Sequence, residues 1–147
     1  MEKIENNFKI HNETPSDINE HLPTLYEYAK KCDHVTEMGV RWVVSTWVWL
    51  ACSPKKLRSY DLYDPSHWGA NIQDICDTAE AYGLDFKFEV ADVLKLEIEE
   101  TDLLFIDTWH TYNQLFLELN LHSNKVSKYI ILHDTVTYGL IDEPMYG

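Results

Sequence analysis

The chain has 147 residues, of which 45% are hydrophobic and 13% aromatic, enough to bury the core of one domain over residues 1–147. Twelve basic residues against 25 acidic ones give a formal charge of −13 at pH 7. Repulsion from phosphates disfavours general binding to nucleic acids or anionic membranes, so small molecules and metal ions are the expected ligands.

The cysteines and the apolar segments indicate a cytoplasmic protein. Cys32, Cys52 and Cys76 are too widely spaced for the short ligand motifs of zinc modules, and we expect them to be reduced. The longest apolar stretch, "WVVSTWVWLAC", is far shorter than the ~20 residues that span a bilayer. The N-terminal "MEKIENNFKI" lacks the apolar segment of a signal peptide.

The first predicted elements are a helix, a strand and a second helix. Apolar residues recur on one face of residues 14–32, which predicts an amphipathic helix capped by Ser16 or Asp17. A short strand, "HVTEM", then leads through a glycine turn into a buried helix, "VVSTWVWLAC". Strand, glycine turn and helix form the first half of a βαβ unit.

The alternation of strands and helices continues along the chain. Four further strands are predicted in "KLRSYDL", "DFKFEV", "DLLFID" and "KYIILHD", and two further helices in "ANIQDICDTAEAYG" and "YNQLFLELNLHSNK". Alternating strands and helices predict an α/β fold with a doubly wound, mostly parallel, Rossmann-like sheet. Ligands of such sheets bind at the carboxyl ends of the strands, near the switch in strand order.

The first three strand ends carry residues suited to a nucleoside ligand. Gly39 after the first strand would let a ligand approach the backbone, although a lone glycine there can equally be only a turn. Asp61 ends the second strand, about 20 residues later, where a carboxylate can accept ribose hydroxyls. Asp92 follows the third strand and could bind an exocyclic amine or simply face solvent. No G-x-G-x-x-G motif follows the first strand, so we expect a ribose without a pyrophosphate.

The last two strand ends suggest a metal site. Asp107 and Asp134 should meet at one edge of the sheet, where two acids repel unless a cation or a proton lies between them. With Thr135, they would offer oxygen ligands suited to Mg²⁺ or another hard divalent ion. His110 could be a general base or an exposed histidine at a helix start, and Trp109 a core or lid aromatic.

Taken together, these motifs resemble the class I S-adenosylmethionine-dependent methyltransferases over roughly residues 33–139. The chain looks most like the small O-methyltransferase branch, which includes the catechol, macrocin and mycinamicin O-methyltransferases and the cephalosporin-hydroxylase-like proteins. Catechol methyltransferases have Asp-His-Trp-Lys after the fourth strand, where this chain reads Asp107-Thr108-Trp109-His110. After the fifth strand that family has Asp-Asn or Asp-Asp, and this chain has Asp134-Thr135.

The resemblance implies S-adenosylmethionine as cofactor, aided by Mg²⁺ or another divalent metal. The implied cofactor contacts are Glu37 and Gly39 at the methionine end, Ser45 near the cofactor carboxylate, Asp61 at the ribose and Asp92 at the adenine. By position, Asp107 and Asp134 would be metal ligands and His110 the base. The substrate would be a small hydroxylated molecule.

The chain departs from the family pattern at two points. The family has a second glycine where this chain has Val43, so the backbone near the cofactor should differ. The family sheet also continues into a terminal hairpin of two strands, whereas this chain stops at "IDEPMYG". We therefore expect a sheet that lacks those two strands and has a bare edge, which a homodimer could cover.

Three functions agree with these observations. The first is a metal-assisted O-methyltransferase. The second is a methyltransferase-like protein that binds a nucleoside-type ligand without turnover, which Val43 and the short C-terminal part favour. The third is a hydrolytic metal site at Asp107 and Asp134, which would leave Asp61 without a role.

Overall fold

A computed structural model describes residues 1–144 of the chain. It contains five α-helices and five β-strands in those residues. The helices are α1 (Glu2–Glu13), α2 (Leu22–Ala29), α3 (Val44–Ala51), α4 (Ile72–Ala81) and α5 (Tyr112–His122). The strands are β1 (His34–Met38), β2 (Lys56–Asp61), β3 (Phe86–Val90), β4 (Thr101–Ile106) and β5 (Val126–Leu132).

The strands form one sheet in the order β3-β2-β1-β4-β5, and every neighbouring pair is parallel. The predicted doubly wound parallel sheet is confirmed. The strand order reverses between β1 and β4, so the ends of these two strands mark the switch point where ligands of such folds bind. No strand follows β5 within residues 133–144, and the homodimer predicted to cover an edge stays a prediction.

Alternating side chains of the strands divide the core between the two faces of the sheet. In β4, Leu103 and Phe105 pack on the side of α1 to α4, whereas Leu104 and Ile106 pack on the side of α5. Helix α3 is apolar almost all round and therefore lies buried, with Trp49 against Phe105 at a ring-centroid distance of 5.3 Å. The central strands are thus fixed from both faces.

The N-terminal third of the chain differs from the sequence prediction. Helix α1 was not predicted, because Ile4 and Phe8 are the main apolar anchors of a largely polar segment. The helix expected over residues 14–32 is shorter: a 3₁₀ turn at Asn19–His21 precedes α2, and Ser16 Oγ accepts the Asn19 N–H at 3.0 Å.

The three cysteines are free thiols. No helix within residues 1–144 combines the length and the apolar character needed to cross a membrane.

Candidate functional site

The ends of β4 and β5 bring two aspartates and two histidines together. Asp107 directly follows β4, and its N–H donates to Met38 O of β1 at 2.8 Å. His133 directly follows β5, and its N–H donates to Ile106 O of β4 at 3.1 Å, so both residues extend the sheet pairing. One ligand atom from each of Asp107, His110, His133 and Asp134 lies within 4.8 Å of the others. We call these four residues the His/Asp cluster.

Asp107 is the centre of the His/Asp cluster. Its Oδ1 lies 3.1 Å from His110 Nε2 and 3.1 Å from His133 Nδ1. Asp134 Oδ2 lies 3.7 Å from His110 Nε2 and 3.5 Å from His133 Nδ1. Burial alone would raise the pKa of Asp107, but the two histidines outweigh it and lower that pKa to about 2. Burial likewise opposes charging of the histidines, yet Asp107 raises the pKa of both.

A third carboxylate, outside the cluster, fixes the orientation of His110. Glu143 Oε2 lies 2.9 Å from His110 Nδ1 and accepts the His110 backbone N–H at 3.1 Å. The Glu143 N–H in turn donates to His110 O at 2.8 Å, and the Tyr138 ring stacks on the imidazole at 4.9 Å. A carboxylate on one ring nitrogen of a histidine directs the other nitrogen towards a metal or a substrate. Here that other nitrogen, Nε2, faces the cluster.

The donor chemistry of the cluster fits a divalent cation. Two carboxylate oxygens and two imidazole nitrogens could surround one ion. The two imidazole nitrogens suit transition ions such as Fe²⁺ or Zn²⁺, and the two carboxylates suit Mn²⁺, whereas Mg²⁺ prefers a site made of oxygen ligands alone. Thr135 is exposed beside Asp134, and its role as a ligand stays a prediction.

Glu37 and Ser45 lie inside the protein. The Glu37 carboxylate accepts hydrogen bonds from Ser45 Oγ at 2.6 Å, Trp49 Nε1 at 2.8 Å, Thr46 Oγ1 at 2.9 Å and Ser59 Oγ at 2.6 Å. Its side chain is fully buried, and this burial raises the pKa of Glu37 to about 7 despite the four donors. The predicted cofactor contacts of these residues stay predictions, and the packing favours a structural role that ties β1 to α3.

Gly39 allows β1 and β4 to approach each other at the switch point. Its φ is +90°, and a Cβ placed there would lie 2.0 Å from the backbone oxygen of Asp107. The glycine is therefore needed for the contact that positions Asp107, a metal-ligand candidate. Its predicted contact with a cofactor stays a prediction.

Asp61 holds the loop between β1 and α3. Its Oδ2 accepts the N–H groups of Val40 at 2.8 Å and Arg41 at 3.0 Å, and Oδ1 accepts that of Tyr63 at 3.0 Å. A carboxylate has about four lone-pair sites, so capacity remains for a ribose hydroxyl.

Val43 has a φ of +62°, a conformation that glycine adopts readily. The loop thus keeps glycine-like geometry at Val43, the position where the family has glycine.

Asp92 forms a local turn at the end of β3. Its carboxylate accepts the Leu94 N–H at 3.0 Å and pairs with Lys95 at 2.9 Å. These contacts lower the pKa of Asp92 and are typical of an acid in a loop. Its predicted role at the adenine stays a prediction.

A cavity of about 450 Å³ adjoins the His/Asp cluster. It lies between the ends of β4 and β5, the N-terminal half of α5 and residues 135–142. Its apolar wall consists of Ile106, Trp109, Tyr112, Leu115, Leu132, Tyr138, Leu140 and Ile141. Its polar lining includes His110, Glu118, His133 and Asp134. The volume lies within the usual range for small-molecule sites.

Comparison with known proteins supports the fold. No protein-family model matches the chain, and no curated protein matches it significantly. Among solved structures, the methyltransferase PaMTH1 from Podospora anserina, bound to S-adenosylhomocysteine (SAH), is 16% identical with a TM-score of 0.62. That match covers 98% of this chain and 68% of PaMTH1.

Two further structures give similar matches. A candidate caffeoyl-CoA O-methyltransferase from Staphylococcus aureus is 13% identical, with a TM-score of 0.64 over 90% of this chain and 68% of that chain. The N-terminal domain of EvdMO1, determined with SAH and D-fucose, is 14% identical, with a TM-score of 0.56 over 80% of this chain and 51% of that one. The chain therefore has the fold of S-adenosylmethionine-dependent methyltransferases, as the motif order predicted.

Three residues of the site were not singled out from the sequence. His133 was treated as part of a strand end, although the dipeptide His133-Asp134 after an apolar strand is a visible signal. Glu118 lies on a helix, where a single acid is usually exposed. Glu143 reaches His110 only because the segment after β5 folds back, and no sequence pattern indicates this.

Proposed function

We propose that this chain is an S-adenosylmethionine-dependent O-methyltransferase that acts on a small hydroxylated substrate with the help of a divalent metal. The observation that carries the proposal is the His/Asp cluster, which lies beside a cavity at the strand ends of a methyltransferase fold. The SAH named with PaMTH1 and with EvdMO1, and the D-fucose named with EvdMO1, support a cofactor and an acceptor of this kind.

The cofactor would lie along the carboxyl ends of β1 and β2. Asp61 has a remaining lone pair for a ribose hydroxyl, and it holds the loop that a ligand would contact. When bound, S-adenosylmethionine supplies an electrophilic methyl group, whose bond to sulfur breaks as its bond to the acceptor oxygen forms, leaving neutral SAH. The protein contributes mainly by alignment of the acceptor oxygen with that methyl group.

Asp107, Asp134 and His133 would hold the metal. Their donor atoms converge beside the cavity, and Asp107 is already ionised because its pKa is about 2. A divalent ion there would stabilise the negative charge that develops on the acceptor oxygen. Thr135 is a further candidate ligand beside Asp134.

With a divalent ion held by Asp107 Oδ1, the oxygen that Nε2 of His110 contacts here, this nitrogen would be free to take the proton of the acceptor hydroxyl. Glu143 holds Nδ1, so the ring presents Nε2 to the cluster and the cavity. Glu143 would also stabilise the imidazolium that forms when the proton arrives. The contact between Nε2 and Asp107 at 3.1 Å shows that the ring already lies beside a metal-ligand candidate.

Calorimetric titration with SAH tests the cofactor site. We expect SAH to bind the unmodified chain, and Asp61→Ala to abolish that binding. The matched control is Asp77→Asn, which removes one charge from the exposed face of α4. Failure of SAH to bind with or without metal, or equal affinity in the Asp61 variant, would contradict the proposal.

A parallel titration with Mn²⁺ and Mg²⁺ tests the metal site. We expect Asp107→Asn and His133→Ala to weaken metal binding while SAH affinity is retained. His110→Ala should retain most metal binding but lose methyl transfer. Loss of SAH and metal binding together in the Asp107 variant would instead indicate a structural role.

A further inference from the structure

The cavity beside the His/Asp cluster has an acidic lining. Of the residues described there, none is lysine or arginine, whereas Glu118, Asp134 and Asp142 carry carboxylates. Asp134 belongs to the cluster, but Glu118 and Asp142 lie outside it. The lining also contains His110 and His133, but both belong to the cluster. Outside the cluster its charged groups are the acids Glu118 and Asp142, which disfavour an anionic group there and favour a neutral or cationic one.

Glu118 has a hydrogen-bonding capacity that the protein leaves unused. Its side chain is fully buried on α5, and Oε1 accepts Thr108 Oγ1 at 2.6 Å and Gln114 Nε2 at 2.8 Å. Its other oxygen, Oε2, is buried and has no hydrogen-bond partner among residues 1–144. An unpartnered buried carboxylate oxygen is costly, so a donor supplied by a ligand would stabilise it.

We infer that the cavity accepts a molecule with a protonated amine as well as the hydroxyl that is methylated, and that Glu118 binds the amine. The identification of this molecule as a methyl acceptor rests on the proposed function. Thr108 and Gln114 fix the carboxylate from one side, which leaves Oε2 for the ammonium group. Such a pair is shielded from water, where a charge-assisted hydrogen bond is strong.

A carboxylate or a phosphate at the position of the amine would face Glu118, so acceptors that carry an anionic group there are disfavoured. An amino sugar and an aryl ethylamine share the required chemistry, since both combine hydroxyls with an ammonium group. The apolar wall, with Leu115 and Leu132, can pack against the carbon skeleton of either.

Two matched series of probes test this inference by direct binding. The first series is dopamine, 4-methylcatechol and 3,4-dihydroxyphenylacetate, and the second is D-glucosamine, D-glucose and D-glucuronate. Each series runs from cationic through neutral to anionic on a similar skeleton. Affinities are measured by calorimetry on the unmodified chain with SAH and Mn²⁺ present, and on Glu118→Gln. Glu80→Gln is the control, since it removes a charge from the exposed surface of α4.

We expect the cationic member of one series to bind at least about tenfold more tightly than the anionic member, as a charge-assisted hydrogen bond allows. Glu118→Gln should reduce that affinity about tenfold or more while the neutral member and the Glu80 control change little. The series that binds distinguishes an amino sugar from an aryl amine. Preference for the acid, or no binding by any of the six probes, would overturn the inference. The order of probe affinities is measured on the unmodified chain, so the test still works if the Glu118→Gln variant does not fold.

The same titrations separate this inference from the proposed function. If SAH and metal bind but the anionic probes are preferred, the amine inference is wrong and the methyltransferase proposal stands. If SAH does not bind but the cationic probes do, the methyltransferase proposal is wrong and the binding of an amine by Glu118 stands.

Discussion

Replacement of Gly39 by alanine should destabilise the chain far more than replacement of Gly83. Both glycines have positive φ, +90° and +69°, so alanine costs about 1–2 kcal/mol at either position. At Gly83 a Cβ meets nothing within 4 Å. At Gly39 it would lie 2.0 Å from Asp107 O and 2.6 Å from Asp107 C, both backbone atoms that cannot rotate away. The strand ends must then separate, which adds roughly 1–3 kcal/mol or more.

Urea unfolding followed by circular dichroism measures this difference. With a slope of about 2 kcal/mol/M, an excess loss of ~2 kcal/mol places the midpoint of Gly39→Ala about 1 M below that of Gly83→Ala. The same variant should bind Mn²⁺ more weakly, because the displaced backbone carries Asp107. Equal midpoints for the two variants would refute the argument that Gly39 serves the approach of β1 to β4.

Two other predictions concern buried polar groups and helix ends. The pKa of Glu37 is about 7 in the folded chain and near 4.5 when unfolded, so stability should fall by about 3 kcal/mol as pH rises from 4.5 to 7. Glu37→Gln should remove most of that fall in urea unfolding at pH 5 and pH 8, and an unchanged pH dependence would contradict the role of burial. Asn71 accepts the Asp74 N–H at the start of α4, so Asn71→Ala should cost about 1 kcal/mol in a thermal melt. Asn113→Ala, at an exposed position within α5, should cost less, and an equal loss would argue against the cap.

The sheet could be predicted from the sequence because its strands are continuous apolar runs buried on both faces. "HVTEM" coincides with β1, and "DLLFID" overlaps all of β4 except Thr101. Since parallel neighbours end at the same edge, the convergence of Asp107 and Asp134 followed from strand order alone. The chemistry around them could not be predicted in the same way. It depends on the direction of the His133 side chain after β5 and on the return of Glu143 to His110.

The cofactor edge shows a different limit of sequence reasoning. Motif position assigns Glu37 and Asp61 to the cofactor, but position does not say which partners a carboxylate finds within its own protein. Glu37 has four internal donors, and Asp61 binds the backbone of the neighbouring loop. Val43 likewise has a positive φ that its residue type disfavours. The loop is held by the hydrogen bonds of Asp61 to the backbone of Val40 and Arg41, which outweigh the local preference of Val43.

The most direct test of the account is a crystal structure of the chain with SAH and Mn²⁺, with anomalous scattering recorded at the manganese edge. We expect SAH along the carboxyl ends of β1 and β2, with its ribose at Asp61. We also expect one anomalous peak within ~2.3 Å of Asp107, His133 and Asp134. SAH bound elsewhere, or a cluster without a peak at saturating Mn²⁺, would contradict it.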